Sequence, residues 1–492
     1  MYNNINNIYQ CILFNNKNEK QYGGSDSLDL SEGQTDNNFF KDIITNIYIS
    51  KSGMKLVCIP DDDATVISMG IYIRVGSLDE NEHELGVAHF LEHMVFKGTK
   101  KYKGNKLIER LDNLGTMYNA ATSYEYTNYY IHGLPQFQNE LIEMLLDMYF
   151  EPEIPPSTVE NEKKVILEEY KMRNDSKSLK IYMNLLNLVT KEKNKLYGRP
   201  VIGNQNSIKN ITIDDLVRFR EKYHDHTKTT ITISGKFNED KMKTLIEKII
   251  NNNYDDKFGT FIKYNGLRKI DQKNYITDLI LTTQKPRLSN RYFFQMIEGQ
   301  QTNISLNFPC WKSFTKNNIY LNILSVVLAN RLYKIIRTDY GLVYNVDTNT
   351  VIFDTFGLFS IVMGVDPKNI YSAIKLTINE LINIYKNGIT NEELLKVKNI
   401  NMTSMMIEYQ NQLTFFGIYT NNIAYDYKYY TPDDIIDIFN NVNIDILHKN
   451  IIKTIINPKQ LYISMIGPDR PNNNKIKKMF NYFNKKIMKI KN

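Results

Sequence analysis

Gly86–Thr99 reads GVAHFLEHMVFKGT, and the five residues His89-Phe90-Leu91-Glu92-His93 at its centre decide what the chain is built around. Two imidazoles stand four positions apart with a carboxylate between them, the minimal kit for holding zinc and activating a water. The order is inverted relative to HExxH, because Phe90 follows His89 where that motif needs its glutamate. The surrounding Glu84–Lys97 is apolar with polar interruptions at helical spacing, and Gly98 supplies a stop, which predicts a helix. On a helix, residues i and i+4 sit one above the other about 6 Å apart, so His89 and His93 can reach one ion. Glu92 borders the same face and could hold and deprotonate a water without being a ligand. A lone histidine in so apolar a helix is usually a core residue. Two at this spacing, flanking a glutamate that burial would penalise, are hard to explain as packing. They leave the site one protein ligand short of the usual three plus water.

A second acidic helix is predicted over Ser157–Met172 (STVENEKKVILEEYKM). Ser157 and Glu160 form a capping-box pattern after Pro155 and Pro156, which signals its start. Glu162 and Glu169 lie seven apart, two turns along one face, while Val165, Ile166 and Tyr170 give the helix something to bury. By chemistry alone, either Glu168 or Glu169 could complete the metal set.

The inverted HxxEH core, with GVAHFLEHMVFKGT around it and VILEEY (Val165–Tyr170) downstream, resembles the pitrilysin-type (M16) metallopeptidases. NAATSYEYTNYY (Asn119–Tyr130) is similar to that family's strand pair and GRPVIG (Gly198–Gly203) to its loop. The resemblance implies His89, His93 and Glu169 as ligands of one Zn2+ per chain, Glu92 as catalytic base, and Glu162 as an orienting residue behind a ligand. It assigns Asn119, Ala120, Ala121 and Thr122 to the strand along which an extended substrate docks. It also implies an α+β fold of two homologous domains, each a mostly antiparallel sheet packed with helices. In the second domain, Arg331-Leu332-Tyr333 and Arg337…Gly341-Leu342-Val343-Tyr344 resemble a family element whose later arginine and tyrosine, here Arg337 and Tyr344, bind substrate and steady the tetrahedral intermediate. Within the family, the chain looks closest to the mitochondrial processing peptidase beta-subunit and its bacterial homodimeric counterparts. It departs from them at Leu179 and Met183, where the acidic groups that read a basic residue upstream of the cut would stand, and from many members of the family at Ser325–Asn330 (SVVLAN), in place of a glycine- and serine-rich turn. The expected activity is endopeptidase action on extended or unfolded peptides by a homodimer, or by a heterodimer with a related chain. The rival reading is a catalytically silent scaffold of the same family.

The residues themselves support such a docking strand. Thr116–Thr122 and the aromatic-rich Tyr126–Ile131 read as a hairpin beside the metal helix, and an open strand edge there is a rail to which an extended peptide can add as another strand. Along the whole chain, 492 residues favour at least two domains. Residues 1–44, rich in Asn and Asp, form a low-complexity extension. A catalytic domain is expected over 45–255, with strands Ile47–Pro60, Val66–Val75 and Thr227–Ile233 and helices near Asn105–Leu114, Pro135–Tyr149 and Thr212–Tyr223. A linker covers 256–294. A metal-free domain follows over 295–482, with a strand at Asn303–Phe308, a helix near Asn318–Arg337, strands in Tyr344–Met363, and helices near Pro367–Tyr385 and Thr390–Tyr409. Residues 483–492 read as a basic tail.

The three cysteines, Cys11, Cys58 and Cys310, are too few and too scattered for a disulfide framework and point to the cytoplasm or another reducing compartment. No run approaches 18 apolar residues, so no membrane span is expected. The first 40 residues carry no arginine and several acids, unlike a mitochondrial targeting helix. A net charge of +7 with lysines spread among acids does not indicate nucleic-acid binding. The excess of Asn, Ile, Lys and Tyr fits AT-rich coding bias.

Overall fold

The structure, a computed structural model, describes residues 44–190, 195–268, 290–409 and 412–491. The expected N-terminal extension up to residue 43, with Cys11, and much of the expected linker lie outside the described residues.

Two sheets organise the described residues. The first contains β1 (Asn46–Ser50), β2 (Lys55–Pro60), β3 (Ile67–Ile73), β4 (Met117–Thr122), β5 (Thr127–Gly133), β6 (Thr229–Gly235) and β7 (Phe261–Lys263), in the order β4-β5-β3-β6-β2-β1-β7. The second contains β8 (Tyr292–Met296), β9 (Thr302–Cys310), β10 (Val343–Ile352), β11 (Gly357–Val365) and β12 (Tyr462–Gly467), in the order β10-β11-β9-β12-β8. Reading β10, β11, β9, β12 and β8 onto β4, β5, β3, β6 and β2 superposes the two orders. In both sheets one pair in this core is parallel, β2 with β6 and β8 with β12, and the rest are antiparallel. The two homologous domains that the resemblance implies are therefore a repeated topology, and the fold is two α+β domains of one design. Each has its own apolar core.

Strand β3 (ISMGIYI) is buried at every position, which requires cover on both faces. Helix Gln138–Phe150 packs on β3 and β5 from one side. The other side is covered by helix Gln412–Ala424, which comes from the second half of the chain: Thr420 Oγ1 donates to Thr232 Oγ1 at 2.8 Å, and Tyr72 OH donates to Asn421 Oδ1 at 2.9 Å. The exchange is mutual. Helix Lys177–Thr190, from the first half, lies on the second sheet, where Asn184 Nδ2 donates to Gln295 Oε1 at 2.7 Å and Ser464 Oγ to the Ile181 carbonyl at 3.3 Å.

Several expected boundaries shift for physical reasons. Ile47–Pro60 is not one strand but two, folded back at Lys51-Ser52-Gly53, where Gly53 takes a left-handed φ of 95°. The expected linker begins inside the first sheet, because β7 pairs with β1. The expected basic tail is the second half of a continuous helix, Asn473–Lys491, whose Ile476, Phe480, Phe483 and Ile487 recur at helical spacing and are buried. The acidic helix runs over Pro156–Asp175 without the expected capping box: Pro155 supplies an extended entry and Pro156 starts the helix, so Ser157 is already inside it. Lys316–Leu332 runs on into wide π turns over Tyr333–Asp339, and this combined helix is long and apolar enough to cross a membrane. Tyr320, Leu321, Ile323, Leu324, Leu328, Leu332 and Ile336 bury it in the second core, where it serves as that domain's central helix.

Candidate metal centre

The helix that carries the histidines is short, Val87–Met94, and its first residue follows Gly86 in a left-handed conformation (φ 92°). Gly86 has no side chain with which to cap it. The free N–H groups of Gly86 and Ala88 instead donate to Glu80 Oε2 and Oε1 at 2.9 and 3.0 Å. Burial pushes the Glu80 carboxyl up to about 8, against the lowering effect of these two bonds. The same helix start is clamped by the Gly198–Gly203 loop. A Cβ on Gly86 would lie 2.5 Å from the Ile202 carbonyl oxygen, and one on Gly203 would lie 2.5 Å from that of Leu85, so only glycine permits this mutual approach.

Helix Pro156–Asp175 crosses this element and turns Glu162 and Glu169 toward it. His89 Nε2 lies 3.7 Å from Glu169 Oε1, and His93 Nε2 lies 3.4 Å from Glu169 Oε2. One donor atom from each of His89, His93 and Glu169 falls within a common 4.8 Å span. Glu168 points elsewhere, into an exposed pair with Lys171 at 2.6 Å, so rotation about the helix axis separates the two candidates left open by chemistry alone.

Behind the donors, Glu162 Oε1 accepts from His93 Nδ1 at 2.8 Å, while its Oε2 pairs with Lys97 Nζ at 2.8 Å. The bond to Nδ1 fixes the ring so that Nε2 faces Glu169. Burial disfavours a charged His93 ring, yet its bonds to Glu162 and Glu169 and the nearby Glu92 charge outweigh this and raise it to about 9. Burial likewise opposes ionisation of Glu169, but the histidines and Arg173 hold its carboxyl far below the usual range. Arg173 Nε donates to Glu169 Oε1 at 2.7 Å. Glu92 stands on the same helix as the histidines, and Thr122 Oγ1 donates to its Oε2 at 2.7 Å.

Thr122 ends β4, the outermost strand of its sheet, and every position from Met117 to Thr122 is paired on the inner side with β5. Ala120 is buried, in step with Thr122 along the strand, whereas Asn119 folds its side-chain oxygen back onto the Ala120 N–H at 2.9 Å. The outer backbone edge of Asn119–Thr122 therefore runs beside the donor cluster. Arg337 and Tyr344 stand apart in the second domain: the guanidinium lies 4.7 Å from the Tyr333 ring centre and 5.0 Å from that of Tyr344, which is 78% exposed at the start of edge strand β10. The partners described for Glu92 and the three donors all come from the first domain. Arg331, six residues before Arg337, is structural: it is bound by Glu393 and Glu380 inside the second domain.

The set of two imidazole nitrogens and one carboxylate suits zinc, and three protein donors leave a coordination place over. Residues 56–203 match the model of the insulinase family, peptidase family M16, and residues 210–401 match the peptidase M16 inactive domain. The chain belongs to the M16 peptidase family. A Bacillus subtilis protein, named as the uncharacterized zinc protease YmxG, is 26% identical over 402 residues, covering 81% of this chain and 92% of its own. A Rickettsia felis protein, also named as an uncharacterized zinc protease, is 23% identical over 413 residues with the same coverage of 81% and 92%. Among solved structures, a Helicobacter pylori protease shares the fold with a TM-score of 0.73 at 19% identity, over 87% of this chain and all of its own. The periplasmic protease PqqL of Escherichia coli gives 0.72 at 17% identity over 90% of this chain and 50% of its own. For this M16 chain, the sequence missed Glu80 as the cap of the metal helix, Arg173 on Glu169 and Thr122 on Glu92. Glu80 left no readable signal, because the cap arrives through a loop six residues upstream of Gly86.

Proposed function

We propose that this chain is a zinc-dependent endopeptidase that cuts extended or unfolded peptides, with His89, His93 and Glu169 holding one zinc per chain. The observation that carries the reading is the convergence of those three donors from two helices, with Glu92 fixed beside them by Thr122. Zinc bound there would polarise a peptide carbonyl and make water acidic enough to attack near neutral pH. Glu92 takes the proton of the attacking water and returns it to the leaving amine. Glu162 keeps the His93 ring in register, and Lys97 balances the charge of Glu162. The free edge of β4 receives the substrate as an added strand, which positions a scissile bond without reading its side chains.

Arg337 and Tyr344 are proposed to steady the developing oxyanion from the second domain of a partner chain, in the facing arrangement of two chains that the family resemblance implies. A homodimer, or a heterodimer with a related chain, follows. Affinity to the processing-peptidase group is part of this proposal, without strict selection for basic residues, since Leu179 and Met183 offer no carboxylate. Buried, unpaired Cys58 and Cys310 are in keeping with a reducing compartment.

The test measures metal content and cleavage of a mixed peptide library together. Wild type is expected to hold zinc and cut. Glu92→Gln is expected to hold zinc equally and lose roughly 10²–10⁴-fold in rate. Zinc without cleavage in wild type would favour the scaffold reading, and no zinc at all would remove the centre.

A further inference from the structure

The C-terminal helix Asn473–Lys491 carries seven lysines (475, 477, 478, 485, 486, 489 and 491) and no acidic residue. All seven are exposed, since the apolar positions Ile476, Phe480, Phe483 and Ile487 take the inner face. Among the described residues, none of the seven has a carboxylate partner, so the helix presents its positive charge without local neutralisation. The two elements packed along the helix do not neutralise it. Helix Ile370–Asn387 adds Lys375 and Lys386, and its one acid, Glu380, is buried against Arg331; Pro458–Gln460 adds Lys459. Between the two helices lies a shallow groove of about 260 Å³, with an apolar floor of Ile378, Met479, Tyr371 and Tyr482 and a rim of lysines.

We infer that this face is a docking surface for an anionic lipid bilayer, on which the molecule lies peripherally. Nineteen helical residues make a rod about 28 Å long, long enough for its lysines to meet several headgroups at once. Each lysine held near such a surface strengthens binding by roughly fivefold at physiological salt. Lysine stems can also lie along apolar surface while their heads reach phosphates. The apolar groups between the lysines suit the headgroup level: Met488 is 42% exposed, Tyr482 and Ile490 are half-buried, and Lys475 and Lys486 sit over the rings of Tyr371 and Tyr482 at 4.7 and 5.7 Å. Nucleic acid is the less favoured polyanion, because the helix has no arginine to grip phosphates or bases with a planar fork. Peripheral docking of this kind requires no membrane-spanning segment.

The test uses the full chain with three probes: vesicles of phosphatidylcholine alone, vesicles of phosphatidylcholine mixed with phosphatidylserine, and a duplex DNA of random sequence. Co-sedimentation is expected with the anionic vesicles only, and is expected to fall steeply as salt is raised. Lys478→Glu, Lys485→Glu, Lys486→Glu and Lys489→Glu combined should reduce it at least a hundredfold, and the matching four Lys→Gln changes should reduce it less. Both variants should keep the wild-type circular dichroism and any peptidase activity on soluble peptides. Equal binding to both vesicle types, binding to neither, or DNA binding tighter than vesicle binding at the same salt would each overturn the inference. None of these outcomes depends on whether the metal centre is a peptidase.

Discussion

Thr122 shows how one hydroxyl can be assigned two jobs. Its place on the docking strand suggests contact with substrate, yet its Oγ1 is already spent on Glu92. Thr122→Val is expected to leave zinc content unchanged and lower kcat/KM by about tenfold, the worth of one bond to a charged group. Thr122→Ser should restore most of it. Loss of zinc in the valine variant, or no recovery with serine, would show that the strand rather than the hydroxyl matters. Glu162 acts one step back from the donors. Glu162→Gln keeps an acceptor for His93 but gives up the charge shared with Lys97, so zinc affinity measured by chelator competition should fall about 10–100-fold. At this scale the sequence was legible wherever chemistry and period coincide on one helix. His89, Glu92 and His93 declare themselves by spacing, and Glu162 and Glu169 share a face. The choice between Glu168 and Glu169 needed either the family resemblance or the observed rotation of the helix. Arg173 was not legible, because an arginine one turn beyond a glutamate reads as an ordinary surface pair.

The metal helix has only eight residues, too few to persist by its own propensity, so its ends depend on outside groups. Glu80 supplies one of them. Glu80→Ala is expected to cost about 1–2 kcal/mol, as loss of a helix cap does, and to weaken zinc retention in step. The pH dependence has a definite sign. The folded carboxyl, raised to about 8, keeps a proton that the unfolded chain gives up near its ordinary value of 4.5, so the stability due to that proton is present at low pH and is lost as pH rises through this window. Thermal melts of wild type should fall across it more steeply than those of Glu80→Gln, which has no proton to lose; parallel curves would refute this. Gly86→Ala should destabilise by about 1–2 kcal/mol from the left-handed backbone alone, with the clash against Ile202 added. The glycines were visible in the sequence as motif letters. Their meaning, two backbones pressed together, was visible only in the fold.

At the scale of the whole molecule, the repeated strand order was foreshadowed by the alternation of strand-like and helical runs. The helix exchange was not. Amphipathic spacing says that Lys177–Thr190 and Gln412–Ala424 each have an apolar face, but not which sheet will cover it. A molecule joined this way is expected to unfold as one unit. Denaturant titration followed by far-UV circular dichroism and by tyrosine fluorescence should give coincident transitions, and two separated steps would contradict the coupling. The order of synthesis adds a further consequence. The last strand of the first sheet ends at Lys263, and the helix that shields one of its faces begins at Gln412, 149 residues later (412 − 263). At 5–20 residues per second a ribosome needs roughly seven to thirty seconds to cross that gap, during which a finished sheet waits with one greasy side bare. The nascent chain should therefore be a strong client of holding chaperones, and slowing translation within that interval should raise its aggregation.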